Sequence, residues 1–574
     1  MTVSGWIEIA LFLLVLTALT PVIGGYMARV FTDEVGFLGF AERPVYRVLG
    51  VRRESGQDWK AYGRSVLVFS ALGFGLLYLV LRTQSLHPFN PQDLSSPTWD
   101  LSFNTAASFL SNTNWQFYAG ETTLSNFSQM FGLAVQNFIS AAVGIAVLAA
   151  FIRGLASRST KELGNFYVDV TRVLLYILLP LSVLGGLFLA SQGALQTLGA
   201  PEHLHTLTGL EQTLVRGPVA SQEAIKLLGT NGGGFFNVNS AMPFENASAF
   251  TNFVELLAII LIPAALTYTF GRMVGRQRQG WAIFAAMLAL FLVLIVVVVP
   301  AEQHGTVAQH MAGLHNGGNL EGKEVRNGIA QSGLWTATTT STSNGSVNSA
   351  LDSYTGLGGA VPMAALGTSE VIFGGVGTGL YSMLVFVLLA VFIGGLMVGR
   401  TPEYLGKKLE AREIKLVSLA ALFTPLTVLI TTGLAIATKF GKPSIFASGP
   451  QGFSETLYAY LSQANNNGSA FAGYTGFVQP NAPGNGGSFG ISFADILGGG
   501  TMVVARFVPI LLVLAIAGAL AGKKVAPVGP GTMRTDNPTF VVLLVGVVVL
   551  VGALTFFPAL LLGPIVQSLS TQLF

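Results

Sequence analysis

Strongly apolar segments alternate along this chain with polar loops. Ten of them approach or exceed the roughly 20 residues needed to cross a bilayer: Trp6–Ala28, Ser65–Leu81, Phe127–Ile152, Val173–Gln192, Thr251–Phe270, Trp281–Val299, Gly379–Val398, Leu416–Ala437, Ile491–Ala521 and Thr539–Val566. Four shorter stretches of mixed polarity, Asp100–Leu110, Ser221–Leu228, Ile329–Thr338 and Phe453–Ser462, cannot span. They suit re-entrant half-helices. Each precedes a similar polar tetrad: Thr113-Asn114-Trp115-Gln116, Thr230-Asn231-Gly232-Gly233, Ser343-Asn344-Gly345-Ser346 and Asn466-Asn467-Gly468-Ser469. The aligned asparagines, Asn114, Asn231, Asn344 and Asn467, lie 117, 113 and 123 residues apart.

This pattern predicts an all-α integral membrane protein of about ten transmembrane helices. One leading and one trailing helix flank four pseudo-repeated helix–pore loop–helix units. The expected divisions are 1–64 for the leading helix and a basic loop, 65–152, 153–270, 271–398 and 399–521 for the repeats, and 522–574 for the trailing helix.

Charge orients the spans. Five loops, Arg29–Arg64, Arg153–Arg172, Arg272–Arg278, Arg400–Lys415 and Lys523–Arg534, hold 22 of the 30 Lys and Arg residues. The intervening loops are longer but hold only Arg216, Lys226, Lys323, Arg326, Lys439 and Lys442. The positive-inside rule places the basic loops in the cytoplasm, with both termini and all four tetrads on the outer side. Met1–Ala10 contains no Lys or Arg, so the first apolar segment reads as a retained helix rather than a signal peptide.

Composition narrows the chemistry. The chain has 574 residues and only 10% of them are charged, against about 25% in soluble proteins. A net charge of +3 argues against nucleic-acid binding, and without cysteine there is no disulfide or thiolate site. The tetrads contain no Asp or Glu, which a divalent-cation site would favour. Backbone carbonyls can instead replace the water shell of a potassium ion without adding fixed charge. Gly232, Gly345 and Gly468 permit the backbone angles this needs. A single Asn-Gly is ordinarily a turn; four copies in equivalent positions point to one axis. Trp115 stands where the other tetrads carry glycine.

Three further features bear on function. Arg506 lies inside an apolar segment, either as a barrier in the ion pathway or as an ion-pair partner of Asp495 or Glu370. Gly374-Gly375-Val376-Gly377-Thr378-Gly379 leads into a span, and reads as a kink at the start of the helix rather than a nucleotide loop. Gly317–Glu324 nearly fits a phosphate-binding loop, but Glu324 replaces the Ser or Thr that would hold magnesium. No ATP site is expected on this chain.

The strings NTNWQFYAGETTLSNFSQM, GPVASQEAIKLLGTNGGGFFNVNS, PFENASAFTNF, GRTPEYLGKKLEAREIKL and ANNNGSAFAG, in this order, resemble the A-subunit family of bacterial Kdp potassium-transporting ATPases. The resemblance covers essentially the full length. It implies that Thr113, Asn114, Thr230, Asn231, Gly232, Ser343, Asn344, Gly345, Asn466, Asn467 and Gly468 line a potassium filter, and that Gln116 tunes affinity. It implies a bacterial inner-membrane complex in which a P-type ATPase B subunit hydrolyses ATP. A single-span C subunit and a small F peptide accompany it, and the ion passes to the B subunit through an intersubunit tunnel. The third tetrad's surroundings, TTTSTSNGSVNS, and the segment Tyr474–Ser488 match less closely. The alternatives are a passive channel-like potassium transporter with a cytosolic regulatory partner, and a non-transporting membrane scaffold.

Overall fold

The computed structural model describes residues 3–314, 317–476, 492–527 and 532–569. Much of the loosely matching segment, 477–488, lies outside the described residues, as do the chain ends. Ten helices among the described residues are long and apolar enough to cross a membrane. They are Val3–Phe31, Trp59–Arg82, Ser128–Ala156, Phe166–Ser191, Ala249–Met273, Gln277–Met311, Thr378–Met397, Ala411–Ala437, Phe493–Ala521 and Pro538–Leu569, here spans 1 to 10. Four shorter helices, Trp99–Leu110, Val219–Leu228, Gly328–Ser341 and Gly449–Ala464, occupy the positions expected for the half-helices.

Burial separates centre from rim. The apolar window of span 3 is 83% buried, against 28% for spans 1, 2 and 10, so span 3 is central and the other three face outward. Span 4 starts earlier than its hydropathy suggests, at Phe166. Asn165 caps it, and its two early charges are neutralised internally. Asp169 forms a two-bond pair with Arg153 at 2.7 Å and also accepts from Tyr62 at 3.0 Å; Arg172 binds Glu42 at 2.9 Å. Paired charges tolerate burial, and the hydropathy pattern cannot see the pairing. Pro180 lacks an N–H, so the carbonyl of Tyr176 loses its helical donor. The helix widens to a π-turn over 173–178, and the Tyr26 hydroxyl of span 1 donates to Tyr176 O at 2.8 Å.

On the basic-loop side, a two-stranded hairpin, Glu403–Tyr404 with Lys407–Lys408, reaches under the bundle. The buried Lys407 ammonium donates to Gly154 O at 2.8 Å and Leu520 O at 2.9 Å, capping spans 3 and 9 with one cation. A second hairpin, Glu202–His205 with Glu211–Leu214, is exposed in a loop of the opposite group.

The stretch before span 7 departs from expectation. A short apolar helix, Gly356–Gly367, is followed by ten non-helical residues, 368–377, and only then by Thr378–Met397. The glycine run is therefore the end of a backbone crossing rather than a simple kink. Ser369, Glu370, Phe373 and Gly377 all have positive φ. The crossing packs main chain to main chain on span 3: a Cβ on Gly377 would lie 2.1 Å from Gly144 O, and one on Gly144 would lie 2.5 Å from Val376 O.

Gly377→Ala should therefore combine left-handed strain with a backbone clash, at about 2–6 kcal/mol. Gly500→Ala in span 9 meets nothing within 4 Å. Thermal melting of the purified protein should show a marked loss for the first and almost none for the second. Equal melting would contradict the close approach.

Candidate functional site

All four short helices stop in the same way. Their C-caps are Ser111, Gly229, Thr342 and Asn465. Two residues on, the backbone N–H groups of Thr113, Asn231, Asn344 and Asn467 donate to carbonyls five residues back, those of Ser108, Lys226, Thr339 and Ser462, at 2.8–2.9 Å. Left-handed backbone flanks that residue every time: φ is positive at Asn112 and Asn114, Thr230 and Gly232, Ser343 and Gly345, and Asn466 and Gly468.

This geometry shifts the register of the first loop by one residue. Thr113, not Asn114, is the counterpart of Asn231, Asn344 and Asn467. Asn114 takes the glycine position at φ 55, and Trp115 stands level with Gly233, Ser346 and Ser469. Asparagine is among the few non-glycine residues that adopt left-handed backbone readily, so the position was disguised in the sequence. Asn112 was missed because its role rests on contacts with the distant second loop.

The four loops interlock. A Cβ on Gly232 would lie 1.8 Å from Asn344 O, one on Gly345 1.9 Å from Asn467 O, and one on Gly468 2.0 Å from Thr113 O. These contacts join the second loop to the third, the third to the fourth and the fourth to the first. Side chains close the remaining junction. Asn112 Nδ2 donates to Thr230 O at 2.9 Å and Gly229 O at 3.2 Å. The Gln116 amide forms a two-bond pair with Gly234, accepting from its N–H at 3.1 Å and donating to its carbonyl at 3.3 Å. Gln116 is thus a strut between two loops.

Each loop is braced from behind. Asn344 Nδ2 donates to Lys226 O at 3.0 Å, and Asn467 Nδ2 to Thr339 O at 2.8 Å, so each amide reaches the preceding short helix. The Asn231 amide lies against the Asn112 and Ser140 side chains. The N–H groups of Gly345 and Gly468 donate to Thr339 Oγ1 and Ser462 Oγ, both at 2.9 Å, while those of Ser346 and Ser469 donate to Asn344 and Asn467 Oδ1 at 3.0 Å. Trp335 Nε1 donates to Ser346 O at 2.7 Å, and the Tyr458 hydroxyl lies 2.7 Å from Ser469 Oγ. These donors are therefore satisfied inside the wall.

The ring separates two cavities. The larger, of about 760 Å³, is lined by Asn114, Gly232, Gly345 and Gly468, one residue from each loop, and by Trp115, Gln116 and Lys323. The smaller, of about 30 Å³, is lined by Asn465, Asn466, Glu370, Thr378, Tyr381 and Arg506. It has room for one or two water molecules. The 368–377 crossing is tied to the ring at two points: Val376 N donates to Thr230 Oγ1 at 2.9 Å, and Asn466 Nδ2 to Glu370 Oε1 at 3.2 Å. Arg506 is buried and donates from Nη1 to Thr378 Oγ1 at 2.5 Å. Among the described residues it forms no ion pair with Asp495 or Glu370.

Electrostatics favour a cation of low charge. Four helix C-termini, each carrying partial negative charge, end at the ring. No group of three His, Cys, Asp or Glu side chains is placed to hold a metal ion among the described residues. Four buried oxygens at or beside the ring have no hydrogen-bond partner: Asn114 Oδ1, Ser343 Oγ, Asn465 Oδ1 and Glu370 Oε2. Such atoms are uncommon in folded proteins. The two buried lysines near the ring are ion-paired. Buried Lys226 binds Glu223 at 2.5 Å and Glu245 at 2.6 Å behind the second loop. Lys323, from the phosphate-loop look-alike, binds Glu302 at 2.7 Å. Burial lowers the Lys323 ammonium from its ordinary range, and Glu302 opposes that shift.

Residues 10–569 match the family model described as the potassium-transporting ATPase A subunit. The chain belongs to that family. It is 52% identical over 589 residues to a potassium-transporting ATPase potassium-binding subunit from Sorangium cellulosum, with 99% of each chain covered. It is 53% identical over 571 residues to the subunit of the same name from Methylorubrum extorquens, with 99% of this chain and 98% of the relative covered. Among solved structures it resembles the potassium transporter TrkH from Vibrio parahaemolyticus at a TM-score of 0.52 and 15% identity, with 89% of this chain and 96% of that one covered. This chain thus shares its fold with a protein of very different sequence.

The corrected register has a direct test. Asn114→Gly relieves the left-handed strain at φ 55 but removes the bond from Asn114 Nδ2 to Asn137 Oδ1 at 2.7 Å, so it should cost about 1–2 kcal/mol. Asn114→Val loses the same bond and, β-branched at a left-handed position, should cost about 1–3 kcal/mol more. Comparable melting of the two variants would return the glycine position to Trp115.

Proposed function

We propose that this chain is the potassium-binding and translocating subunit of an ATP-driven uptake pump, with the four-loop ring as its selectivity filter. The observation that carries the reading is the ring itself: four left-handed loops at the C-terminal ends of four helices, touching through main-chain atoms at three junctions and through side-chain amides at the fourth. In this reading Thr113, Asn114, Thr230, Asn231, Gly232, Ser343, Asn344, Gly345, Asn466, Asn467 and Gly468 form the filter wall, joined by Asn112. Carbonyl and side-chain oxygens replace the hydration shell of a monovalent cation, and the helix ends supply negative potential without a fixed charge to trap it. Gln116 sets the spacing of the first two loops. The repeat divisions at 65–152, 153–270, 271–398 and 399–521 each supply one loop.

The larger cavity is the outer vestibule, and the basic loops face the cytoplasm of a bacterial inner membrane. Even parity of the ten spans then puts both chain ends outside. An ion leaving the filter enters the small cavity beside Glu370 and meets Arg506. Its guanidinium, held by Thr378 and not neutralised by an ion pair, acts as a barrier to direct passage toward the cytoplasm. The ion passes instead to a catalytic B subunit, which hydrolyses ATP, with a C subunit and an F peptide completing the complex. The names of the relatives support an ATPase assembly. The passive-transporter reading shares the fold but lacks the full-length match to the A-subunit family.

Gly232→Asp would drive a side chain into Asn344 O and place a carboxylate in the ring. High-affinity potassium uptake per assembled complex should be lost, together with a drop in melting temperature from the same kind of clash as at Gly377. In the co-purified wild-type complex, potassium should stimulate ATP hydrolysis far more than sodium. Uptake at low external potassium by the variant, or equal stimulation by sodium, would overturn the assignment.

A further inference from the structure

Between spans 1 and 2 the chain forms an eleven-residue helix, Gly39–Leu49, that crosses nothing. One face is anchored. Glu42 and Tyr46, four residues apart, are buried; Glu42 is bound by Arg172 Nη1 at 2.9 Å and accepts from the Tyr46 hydroxyl at 3.3 Å. Arg172 also donates to Val30 O at 3.1 and 3.0 Å and to Val35 O at 2.6 Å. Just before the helix, Leu38 N donates to the Tyr176 hydroxyl at 3.1 Å, and the Phe37 ring packs edge-on against Tyr176 at 5.2 Å. The helix therefore has a fixed orientation at the corner of spans 1 and 4.

Its opposite face is apolar and bare. Phe40, Pro44 and Val48, at four-residue spacing, lie on that face, with Val45 beside them. Phe40 is 74% and Val48 87% exposed. Arg43 and Arg47, also four residues apart and exposed, run along one flank and form no ion pair among the described residues; exposed Arg52 follows in the next turn. The only carboxylate in the helix, Glu42, is turned inward and neutralised. Glu34 and Glu54 lie on the flanking turns. Span 1 ends at Phe31 and span 2 begins at Trp59, so connectivity holds the helix at the level of the span ends.

We propose that Gly39–Leu49 is an interfacial anchor that docks on anionic phospholipid headgroups of the leaflet bordering the basic loops. Phe40, Val45 and Val48 enter the acyl boundary, and Arg43 and Arg47 bind headgroup phosphates. An apolar stripe flanked by arginines is the arrangement that such a surface recognises. A soluble protein partner would offer no reason for the helix to be pinned at the membrane plane. The anchor would fix the span 1–span 4 corner relative to the bilayer, independently of the ion site.

The chain has no cysteine, so Val48→Cys gives a single attachment point for an environment-sensitive fluorophore on the full-length protein. In nanodiscs containing phosphatidylglycerol, the label should shift to shorter wavelength and be quenched by lipids spin-labelled near the headgroup. In phosphatidylcholine alone, or with R43Q/R47Q added, both effects should be largely lost. Phe40→Cys provides a second label should the first variant fold poorly. A water-exposed spectrum in anionic nanodiscs would overturn the proposal. Equal quenching with and without the arginines would overturn the anionic specificity. Shielding that appears only when partner subunits co-purify, without lipid quenching, would assign the face to a protein instead.

Discussion

The structure depends on four loops meeting in a ring, three of the junctions backbone to backbone and the fourth closed by the Asn112 and Gln116 amides. Each junction made by Gly232, Gly345 or Gly468 leaves no space for a Cβ. Non-helical backbone is costly in a membrane unless its polar groups are satisfied or line a cavity. Here the loop N–H groups bond within the wall, to hydroxyls, to asparagine oxygens and to the last helical turn, so oxygens are the groups left for an ion. The short helices exist to end at this place. The buried amides of Asn112, Asn344 and Asn467 carry the restraint from one unit to the next.

The same close approach governs the level beneath the ring. The 368–377 crossing reaches span 3 through Gly144 and Gly377, and it touches the second and fourth loops through Thr230 and Asn466. A cavity of only about 30 Å³ remains there. Charge in this region is placed with care. The strongly buried pairs, Lys226 with Glu223 and Glu245, and Lys323 with Glu302, stand behind or outside the ring. Removing one member of such a pair typically costs about 3–5 kcal/mol, because it strands the other. Arg506 differs, since its buried guanidinium is held by a hydroxyl rather than a carboxylate.

Much of this was legible in the sequence, because the bilayer imposes a coarse code. Long apolar runs gave the spans, and short mixed runs gave the four half-helices to within a few residues. Glycine marked three of the eight left-handed positions in the loops. What stayed hidden had physical causes. The internal pairing of Asp169 and Arg172 hid the start of span 4 from hydropathy. Asn114 satisfied a glycine-like backbone without being glycine, so Trp115 was aligned one place too early. Asn112 and the ten-residue crossing depend on long-range contacts, which no local pattern encodes. The strut role of Gln116 likewise appears only when Gly234 is beside it.

In the proposed filter, the loop ring is where the ion sheds its water. The most direct measurement is anomalous scattering from the assembled complex prepared with rubidium or thallium in place of potassium. Density is expected on the ring axis, at the level of Thr113, Asn231, Asn344 and Asn467. A heavy ion confined to the 760 Å³ outer cavity, with the ring empty, would contradict it.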